Sequence, residues 1–424
     1  MLLVNQIREN YAEVLAGLQK RNFPTAEADL NQALELDELR KSSQAVRDQI
    51  QAELNTISKE IGKLMREGNA DAADKIRKKT AELKLQIKTL EDQNSKAEDE
   101  LRSLLYTIPN IPHVSVPAGK SADDNEVVLT NGAIPELFTE KQPHWELIKK
   151  YDIIDFDLGV KITGAGFPVY KGKGARLQRA LINFFLDEAI AQGYYEIQPP
   201  ILVNEDSGFG TGQLPDKEGQ MYYADADNLY LIPTGEVPIT NIYRDVILSE
   251  DDLPVRNVGH SPCFRREAGS WGAHVRGLNR LHQFDKVEIV QITHPDKSYE
   301  ALENMSAYVQ GLLQKLELPY RVLRLCGGDM GFTSALTYDM EVYSAAQERW
   351  LEVSSVSNFE TYQTNRLKLR FKGKDKKIQL AHSLNGSALA LPRIVASILE
   401  NNQTPDGIKM PKVLHPYLGF DTIK

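Results

Sequence analysis

A stretch from residue 28 to residue 107 that contains no proline is the feature that most limits the fold. Apolar side chains recur within it at alternating steps of three and four residues, the spacing of a coiled-coil seam, which predicts two long helices. Two consecutive steps of four in the first seam, from residue 46 to residue 54, predict a local unwinding. The first seam is expected at Leu36, Leu39, Ser43, Val46, Ile50, Leu54, Ile57, Ile61 and Leu64. The second is expected at Ile76, Thr80, Leu83, Ile87, Leu90, Asn94, Ala97, Leu101 and Leu104.

A short polar segment separates the two predicted helices. In Glu67-Gly68-Asn69-Ala70-Asp71, glycine and asparagine supply the turn, and Asp71 can lie near the start of the next helix. Because the two seams are similar in length, we expect an antiparallel coiled coil that projects about 50 Å. Such an arm serves either as a dimerisation rod or as a lever that grasps RNA, and composition does not separate the two.

The remaining composition limits the class of protein. A chain of 424 residues with 42% hydrophobic residues can bury a sizeable core, and its length suggests two or three domains. Charged residues within the first twenty positions, and no apolar run of roughly 18 residues, argue against secretion and membrane insertion. The two cysteines, Cys263 and Cys326, are too few for a disulfide framework, so we expect a reducing cytoplasm.

The distribution of charge gives a mixed indication about partners. A formal net charge of -9 argues against nucleic acid, because phosphate binding draws on clusters of Lys and Arg. However, the run Lys75-Ile76-Arg77-Lys78-Lys79 makes one segment of the second helix basic. Runs of this kind are usually solvated helix faces, so this one alone supports RNA binding only weakly.

A domain boundary is predicted directly after the second helix. Proline cannot continue a helix, so Ile108-Pro109-Asn110-Ile111-Pro112 ends it, which predicts domains at residues 1–110 and 111–424. In the second domain, helical segments such as Ala175–Ala191 accompany extended runs without regular βαβ alternation. That pattern favours an α+β fold with a mainly antiparallel sheet flanked by helices. The extended runs include Tyr194–Val203, Leu229–Ile232, Leu278–Ile292, Tyr320–Leu325 and Leu351–Val356.

Side chains able to do chemistry are concentrated between residues 264 and 288. Phe264-Arg265-Arg266-Glu267, a loop with Gly269, Gly272 and Gly277, and Leu281-His282-Gln283-Phe284-Asp285-Lys286-Val287-Glu288 together predict two strands joined by a long loop. On ideal strands Arg265 shares a face with Glu267, and Phe284 shares one with Glu288. An arginine beside an acid and an aromatic ring can hold a phosphate, polarise an amine and stack a base. For any single residue, a surface hairpin with ordinary ion pairs is the simpler interpretation.

This segment resembles motif 2 of the class II aminoacyl-tRNA synthetases in their bacterial seryl form. Other segments resemble motifs of that family and follow in its order, and Ile108–Pro112 is similar to its link between arm and catalytic domain. The likeness covers nearly the whole chain and implies an ATP-dependent serine–tRNA ligase. The segments are Gly174–Leu177 to Tyr195–Pro200 (motif 1, which builds the dimer interface), Leu231–Pro238 (serine-binding loop), Glu352–Asn358 (second ATP segment) and Asn385–Ser387 to Arg393 (motif 3).

The resemblance implies an ATP site. Arg265 is expected to bridge the α-phosphate and the serine carboxylate, Phe284 to stack under adenine, and Arg393 to reach the γ-phosphate. Glu267 should meet the adenine or phosphate side, with Arg266, Leu281, Val353 and Ser354 completing the site. Glu352 and Ser355 are expected to hold Mg²⁺, which prefers hard oxygen ligands. Because an ideal strand places those two side chains on opposite faces, a twist or bulge is predicted between them.

The resemblance also implies where the amino acid and the tRNA bind. Serine is expected at Thr234, Gly235, Glu236, Arg265, Glu288 and Ser387, and the tRNA backbone at Lys75, Arg77, Lys78 and Lys79. The implied partners are L-serine, tRNA(Ser), with tRNA(Sec) as an additional candidate, and a second copy of the chain through motif 1. No zinc is expected, because His260, His274, His282 and His382 lack metal-ligand spacing.

Two other functions fit parts of the sequence. One is a related ligase that charges a carrier protein with a small amino acid, although such a ligase is not expected to keep a long RNA-binding arm. The other is a coiled-coil scaffold with an inactive synthetase-like domain. Against the scaffold, Arg265, Glu267, Glu288, Glu352 and Arg393 are all present.

Overall fold

The structure is a computed structural model that describes residues 1–66, 69–216, 218–267 and 276–424. The chain divides into two compact units. The helical unit contains Leu2–Gln19 and Phe23–Pro109, and the sheet unit contains Met1, Lys20–Asn22 and Asn110–Lys424. None of the described helices is both long and apolar enough to cross a membrane.

The N-terminal region folds into four helices, α1 (Val4–Glu9), α2 (Tyr11–Lys20), α3 (Ala26–Arg66) and α4 (Ala70–Thr107). Arg40, early in α3, pairs with Glu98, late in α4, whereas Glu53, later in α3, pairs with Lys79, earlier in α4. The two helices are therefore antiparallel. The predicted coiled coil is therefore confirmed. The side chain of Asn69 accepts the Ala72 N–H at 3.3 Å and caps α4, whereas the predicted turn residues Glu67 and Gly68 lie outside the described residues.

The second seam is confirmed, but the first is wrong at two positions. All the predicted seam residues of α4 are at least partly buried, and Leu83 and Ile87 pack with Leu54 and Ile57 of α3. Leu39 and Val46, by contrast, are 48% and 44% exposed. Continuing the three-and-four rhythm back from Leu54 reaches Ile50, Arg47, Ser43 and Arg40, and each of these is partly or fully buried. The first seam therefore contains Arg40 and Arg47. It has no two consecutive steps of four between residues 40 and 54, so the predicted local unwinding is not needed.

The sheet unit is built on an eight-stranded sheet with the spatial order β1-β11-β12-β13-β16-β10-β9-β4. Every pairing in it is antiparallel except that of β4 with β9, which confirms the predicted sheet. These strands are β1 (Glu126–Asn131), β4 (Tyr195–Glu196), β9 (Val255–Phe264), β10 (Gln283–Thr293), β11 (Tyr320–Arg324), β12 (Leu336–Ser344), β13 (Arg349–Glu360) and β16 (His382–Ala390).

Short strands and nine helices complete the described part of the sheet unit. The strands are β2 (Ile154–Asp155), β3 (Val169–Tyr170), β5 (Leu202–Val203), β6 (Tyr223–Ala224), β7 (Leu229–Leu231), β8 (Ile247–Ser249), β14 (Arg370–Lys372), β15 (Ile378–Leu380), β17 (Gln403–Thr404), β18 (Gly407–Lys409) and β19 (Thr422–Ile423). The helices are α5 (His144–Lys150), α6 (Phe156–Ile162), α7 (Gly172–Ala191), α8 (Glu205–Thr211), α9 (Glu236–Asn241), α10 (Ser298–Lys315), α11 (Thr361–Leu367), α12 (Leu391–Asn401) and α13 (His415–Leu418).

The core lies where α7, α10 and α12 pack on the sheet. On α7, Leu177, Leu181, Phe184 and Phe185 recur at helical spacing and are at most 1% exposed. Burying each of these side chains contributes roughly 1.5–3 kcal/mol. This packing fixes β10, β13 and β16, the strands that carry the candidate site.

The predicted hairpin between residues 264 and 288 differs from the structure in its first strand. β9 ends at Phe264, and Glu267 has a positive φ of 48°, so Arg265 and Glu267 do not share a strand face. A 3-10 turn spans Gly277–Asn279, and the second strand begins at Gln283. Gly269, Gly272 and His274 lie outside the described residues.

Candidate active site

A cavity of about 430 Å³ opens on the sheet unit. Its walls come from the residues that follow β9, the segment 278–281, strands β10, β13 and β16, and the start of α12. The predicted site residues in its lining are Thr234, Glu236, Arg265, Glu267, Leu281, Phe284, Glu352, Val353, Ser354, Ser355, Ser387 and Arg393.

One end of the cavity is acidic and buried. Asn385 donates through its side-chain amide to Glu236 at 3.1 Å and to Glu288 at 2.7 Å, so one amide bridges two carboxylates. Glu288 also pairs with the Lys286 ammonium at 2.6 Å, and Lys286 donates to the hydroxyl of Thr234 at 2.8 Å. The arrangement can bind a small ligand that carries both an ammonium and a hydroxyl group.

The two carboxylates at this end are not equivalent. Glu288 is 0% exposed and is neutralised by Lys286. Among the described residues Glu236 forms no ion pair; its second oxygen accepts from the Gln363 amide at 2.6 Å. Burial, together with the charge of Glu288, raises the pKa of Glu236 to about 7. A bound ammonium group would supply the charge that Glu236 lacks.

Arg265 and Phe284 lie together on a second part of the wall. The Arg265 guanidinium is 5.4 Å from the centroid of the Phe284 ring, within the range of a cation–π contact. The Nε of Arg265 donates to the Pro233 carbonyl at 3.3 Å, which anchors the arginine beside the loop that carries Thr234. An arginine held in this way can contact two anionic groups at once.

Strand β13 supplies oxygen donors to the same cavity. Its register against β12 shifts between Ser354 and Glu352, so Val353 is an extra residue and the predicted bulge is confirmed. The bulge lets both Glu352 and Ser355 line the cavity while Val353 stays 0% exposed. Ser355 is also hydrogen-bonded to Asp339, whose Oδ1 is buried without a partner among the described residues. Carboxylate and hydroxyl oxygens in this arrangement fit Mg²⁺, which takes few protein ligands when it also binds phosphates.

Helix α12 places Arg393 across from β13. Nε of Arg393 donates to the Asn279 carbonyl at 3.2 Å, and one of its NH2 groups donates to the Glu352 carbonyl at 2.7 Å. The same group lies 3.4 Å from the Glu352 carboxylate. Arg393 thus joins the segment 278–281 to β13 and presents a positive charge to the cavity.

Three predicted residues do not line the cavity. Glu288 is 0% exposed, and Gly235 packs so closely on it that a Cβ on the glycine would lie 3.3 Å from the Glu288 Cβ. Arg266 is exposed and its backbone N–H donates to Gln220. Conversely, Lys286, Asn385, Asn279 and Arg280 line the cavity but were not among the residues expected to act. The alternation Phe284, Lys286, Glu288 on β10 was the one signal that could have indicated Lys286.

The basic run of the helical unit is exposed. Lys75, Arg77, Lys78 and Lys79 are all at the surface of α4. Arg77 pairs with Asp74 at 3.0 Å and Lys79 with Glu53 at 2.6 Å. No ion pair involves Lys75 or Lys78 within the described part of α3 and α4, so these two charges are the ones most available to a polyanion.

Other candidate side chains have structural surroundings. Cys263 is 0% exposed, and burial raises the pKa of its thiol. His260 bonds to Asp285 at 2.7 Å and His282 to the Tyr222 hydroxyl at 2.8 Å, while His274 falls outside the described residues. Over the described ranges no three His, Cys, Asp or Glu side chains are grouped to hold a metal ion.

Comparisons with known proteins agree with one another. Residues 1–112 match the family model for the seryl-tRNA synthetase N-terminal domain, and residues 221–402 match that for the tRNA synthetase class II core domain (G, H, P, S and T). The serine–tRNA ligase of Salinibacter ruber is 50% identical over 100% of this chain and 99% of its own. That of Chlorobaculum parvum is 46% identical over 100% of both chains.

Solved structures extend the likeness to three dimensions. The seryl-tRNA synthetase of Pyrococcus horikoshii, complexed with ATP, is 33% identical with a TM-score of 0.94 and covers 100% of this chain and 99% of that one. The cytoplasmic enzyme of Naegleria fowleri, in complex with AMP, is 26% identical with a TM-score of 0.88 at the same coverage. With family models on both units and relatives of this identity over its full length, the chain belongs to the seryl-tRNA synthetase family of class II aminoacyl-tRNA synthetases.

Proposed function

We propose that this protein activates L-serine with ATP and transfers the seryl group to the 3′ end of tRNA(Ser). One observation carries the proposal. A single cavity combines an acidic end, lined by Glu236 and by Lys286 with its buried partner Glu288, with an arginine-lined end at Arg265 and Arg393. The acidic end can bind the ammonium group of an amino acid. The arginines beside it can bind the carboxylate of that amino acid and the phosphates of ATP.

Serine is proposed to lie at the acidic end. Its ammonium meets Glu236 and Thr234, and its hydroxyl reaches the Glu288 side, where Ser387 completes the pocket next to Gly235. Its carboxylate points to Arg265. A site built to bond the hydroxyl rejects alanine strongly, because buried polar partners would otherwise be left unpaired.

ATP is proposed to lie across the arginine-lined end. Adenine stacks on Phe284, with Glu267 and Leu281 at its edge, and the phosphates extend along Val353 and Ser354 towards Arg393. Arg266 takes no part in these contacts, because it does not line the cavity.

Glu352 and Ser355 are proposed to hold Mg²⁺ together with the ATP phosphates. Bound there, the ion would offset negative charge on the phosphates as pyrophosphate leaves. In this arrangement Arg393 must release part of its contact with the Glu352 carboxylate, since both groups then face phosphate oxygens.

The chemistry needs positioning rather than a covalent enzyme intermediate. The serine carboxylate attacks the α-phosphorus, an O–P bond forms, and the bond to pyrophosphate breaks. Arg265 neutralises charge that develops between carboxylate and phosphate. In the second step a ribose hydroxyl at the tRNA 3′ end attacks the seryl carbonyl, and AMP leaves.

We propose residues 1–110 as the tRNA-binding arm and residues 111–424 as the catalytic domain. Lys75, Arg77, Lys78 and Lys79 would lie against the tRNA backbone, a recognition by shape and charge that suits a long rod. We further propose a homodimer formed through the motif 1 segment, a cytoplasmic location, and tRNA(Sec) as a second acceptor.

ATP–pyrophosphate exchange measured with each amino acid in turn, followed by charging of bulk tRNA, tests the proposal. We expect exchange with serine and charging of tRNA. Exchange without tRNA charging would favour a carrier-charging ligase, and no exchange with any amino acid would favour the scaffold. Separate tRNA(Ser) and tRNA(Sec) transcripts decide the second acceptor, and sedimentation decides the dimer.

A further inference from the structure

A histidine and a carboxylate that do not line the cavity form a fully buried pair in the sheet unit. The side chains of His144 and Glu400 are both 0% exposed, and His144 Nδ1 lies 2.6 Å from Glu400 Oε1. His144 is the first residue of α5, and Glu400 lies in the last turn of α12, the helix that carries Arg393 in its first turn. The proposed chemistry uses neither residue.

The carboxylate of Glu400 is heavily hydrogen-bonded. The His144 backbone N–H donates to it at 2.7 Å, the Ser344 hydroxyl donates to its other oxygen, and the Gln347 amide donates to both at 2.9 and 3.0 Å. Burial alone would raise the pKa of Glu400, but the bonds from His144 and Ser344 hold it below its ordinary value. Glu400 is therefore an ionised acceptor, which suits a fixed anchor.

The two ring nitrogens of His144 have opposite roles. The Leu278 backbone N–H donates to Nε2 at 2.8 Å, so Nε2 must be unprotonated. The ring proton is then on Nδ1, where it is donated to Glu400. Because each nitrogen has one defined partner, the ring orientation and the tautomer are both fixed.

His144 thereby holds the backbone at Leu278, shortly before β10 begins. Gly277 has a φ of +66°, and a Cβ on it would lie 2.3 Å from His144 Nε2, so the backbone passes directly against the imidazole. Leu278, whose N–H donates to His144, is followed by Asn279, Arg280 and Leu281. All four of these residues line the cavity.

The restraint reaches the arginine-lined end by two routes. The Asn279 carbonyl accepts from Arg393 at 3.2 Å. The Asn279 amide donates to Gln347 at 3.4 Å, and Gln347 in turn bonds to Glu400. Glu400 thus restrains both the helix that carries Arg393 and the segment that receives its hydrogen bond. The residues at the acidic end, Glu236 and Glu288, are not part of this network.

We propose that His144 and Glu400 are positioning residues that set the ATP side of the cavity, by fixing residues 278–281 against Arg393. This inference rests on the proposed function, since it assigns ATP to that end. Removing the pair should weaken ATP binding and leave serine binding nearly unchanged. A purely structural role would instead lower stability and affect both substrates alike.

The test compares His144→Phe, which keeps a ring but removes both hydrogen-bonding nitrogens, with His382→Phe. His382 is partly buried and bonds to Ser298 at 2.8 Å, but it does not line the cavity. In serine-dependent pyrophosphate exchange, His144→Phe should raise KM for ATP about tenfold, as expected for one lost buried hydrogen bond. KM for serine should stay within about twofold. His382→Phe should change neither KM, and His144→Gln, which keeps a donor and an acceptor, should recover part of the ATP affinity.

Direct ATP binding by titration calorimetry separates failure of this inference from failure of the proposed function. An active wild type whose His144→Phe variant keeps its ATP KM, or changes both KMs equally, overturns the inference. A wild type that binds no ATP overturns it together with the proposed function. If His144→Phe does not fold, Glu400→Gln and His144→Gln give the same comparison, and unchanged ATP dissociation constants in both would overturn the inference.

Discussion

The ammonium nitrogen of Lys286 lies 2.6 Å from a carboxylate oxygen of Glu288, and the two side chains are only 8% and 0% exposed. Removing both charges from water costs several kcal/mol per ion, which their attraction and the bonds from Thr234 and Asn385 must offset. Within the described part of the chain, Glu236 is then the carboxylate at the acidic end that forms no ion pair. Lys286 therefore decides which carboxylate is available to the ammonium of a bound amino acid.

Replacing Lys286 with methionine should be strongly destabilising, because it leaves Glu288 buried without its cation. Breaking a buried pair from one side costs about 3–5 kcal/mol. Serine should also bind more weakly, because Lys286 orients both Thr234 and Glu288, the proposed partners of the serine ammonium and hydroxyl. Urea unfolding measures the first effect, and KM for serine in pyrophosphate exchange measures the second.

Lys374→Met is the matched control for this variant. Lys374 pairs with Asp251 at 3.2 Å, but both side chains are more than 70% exposed. Exposed pairs contribute little, so the urea midpoint should barely move. Equal losses in the two variants would show that the buried pair has no special role.

The stability of the ligand-free protein should depend on Glu236 and on pH. The folded-state pKa of about 7 lies above the ordinary 4.5, so the folded protein holds a proton that the unfolded chain has lost between those values. Stability from this group is therefore full below pH 4.5 and falls as pH rises to about 7. Glu236→Gln should be more stable than wild type at pH 8 by up to about 3 kcal/mol. The difference should disappear near pH 4.5.

Glu136→Gln controls for general effects of charge in this experiment, because Glu136 is exposed. Its unfolding free energy should follow that of wild type at every pH. A constant gap between Glu236→Gln and wild type from pH 4.5 to pH 8 would contradict the raised pKa. Exchange with serine should fall in Glu236→Gln even where the protein is more stable.

The sequence pattern was sufficient to predict elements that are determined by residues close together in the chain. The seam of α4, the helix at α7 and the antiparallel strands follow from periodicity and turn residues. The bulge at Val353 was predictable because two oxygens needed on one face were three residues apart on a strand. The three-and-four rhythm also contained the correct first seam, but the apolar Leu39 and Val46 were preferred over Arg40 and Arg47, whose long side chains can lie along a seam.

Contacts between distant parts of the chain were not predictable in this way. Asn385 bridges Glu236 and Glu288 across 149 and 97 residues of sequence, and His144 meets Glu400 across 256. No spacing rule connects such positions, because the sheet order brings them together. The prediction that Arg265 and Glu267 share a strand face was wrong for a different reason. β9 ends at Phe264, so the two-residue periodicity of a strand does not apply to them.

Glu352→Gln should raise the Mg²⁺ concentration needed for half-maximal exchange at least about tenfold, as expected for loss of a metal ligand. Binding of Mn²⁺ in the presence of ATP, followed by electron paramagnetic resonance, reports on the site without relying on turnover. Glu341→Gln is the matched control, because Glu341 is opposite Glu352 on β12 but pairs with Arg321 and does not line the cavity. Identical Mn²⁺ affinity in the two variants would exclude Glu352 as a ligand.

The corrected seam predicts different effects for two leucines of α3. Leu54 is 8% exposed and Leu39 is 48% exposed. Leu54→Ala should destabilise the coiled coil by about 2 kcal/mol or more. Leu39→Ala should stay within about 0.5 kcal/mol of wild type. Thermal loss of helical circular dichroism measures both effects. A larger destabilisation by Leu39→Ala than by Leu54→Ala would support the first-predicted seam, with its two consecutive steps of four.

Charge reversal at Lys75 and Lys78 together should impair charging of tRNA while leaving serine-dependent pyrophosphate exchange intact. These two side chains are exposed, whereas Arg77 and Lys79 already have carboxylate partners. If each contacts one phosphate, the slope of log binding constant against log salt should shrink by roughly 1.4 to 1.8.

Reversal of Lys96 and Arg102 gives the same change of net charge about 30 Å further along α4. Because those positions lie outside the basic run, tRNA affinity and its salt slope should stay close to wild type. An equal loss of charging in both double variants would indicate that the helical unit responds to total charge. A collapse of exchange in the Lys75 and Lys78 variant would instead make the arm a structural element of the catalytic unit. Charging lost with exchange intact, and only in that variant, would identify the basic run of α4 as the surface that meets the tRNA backbone.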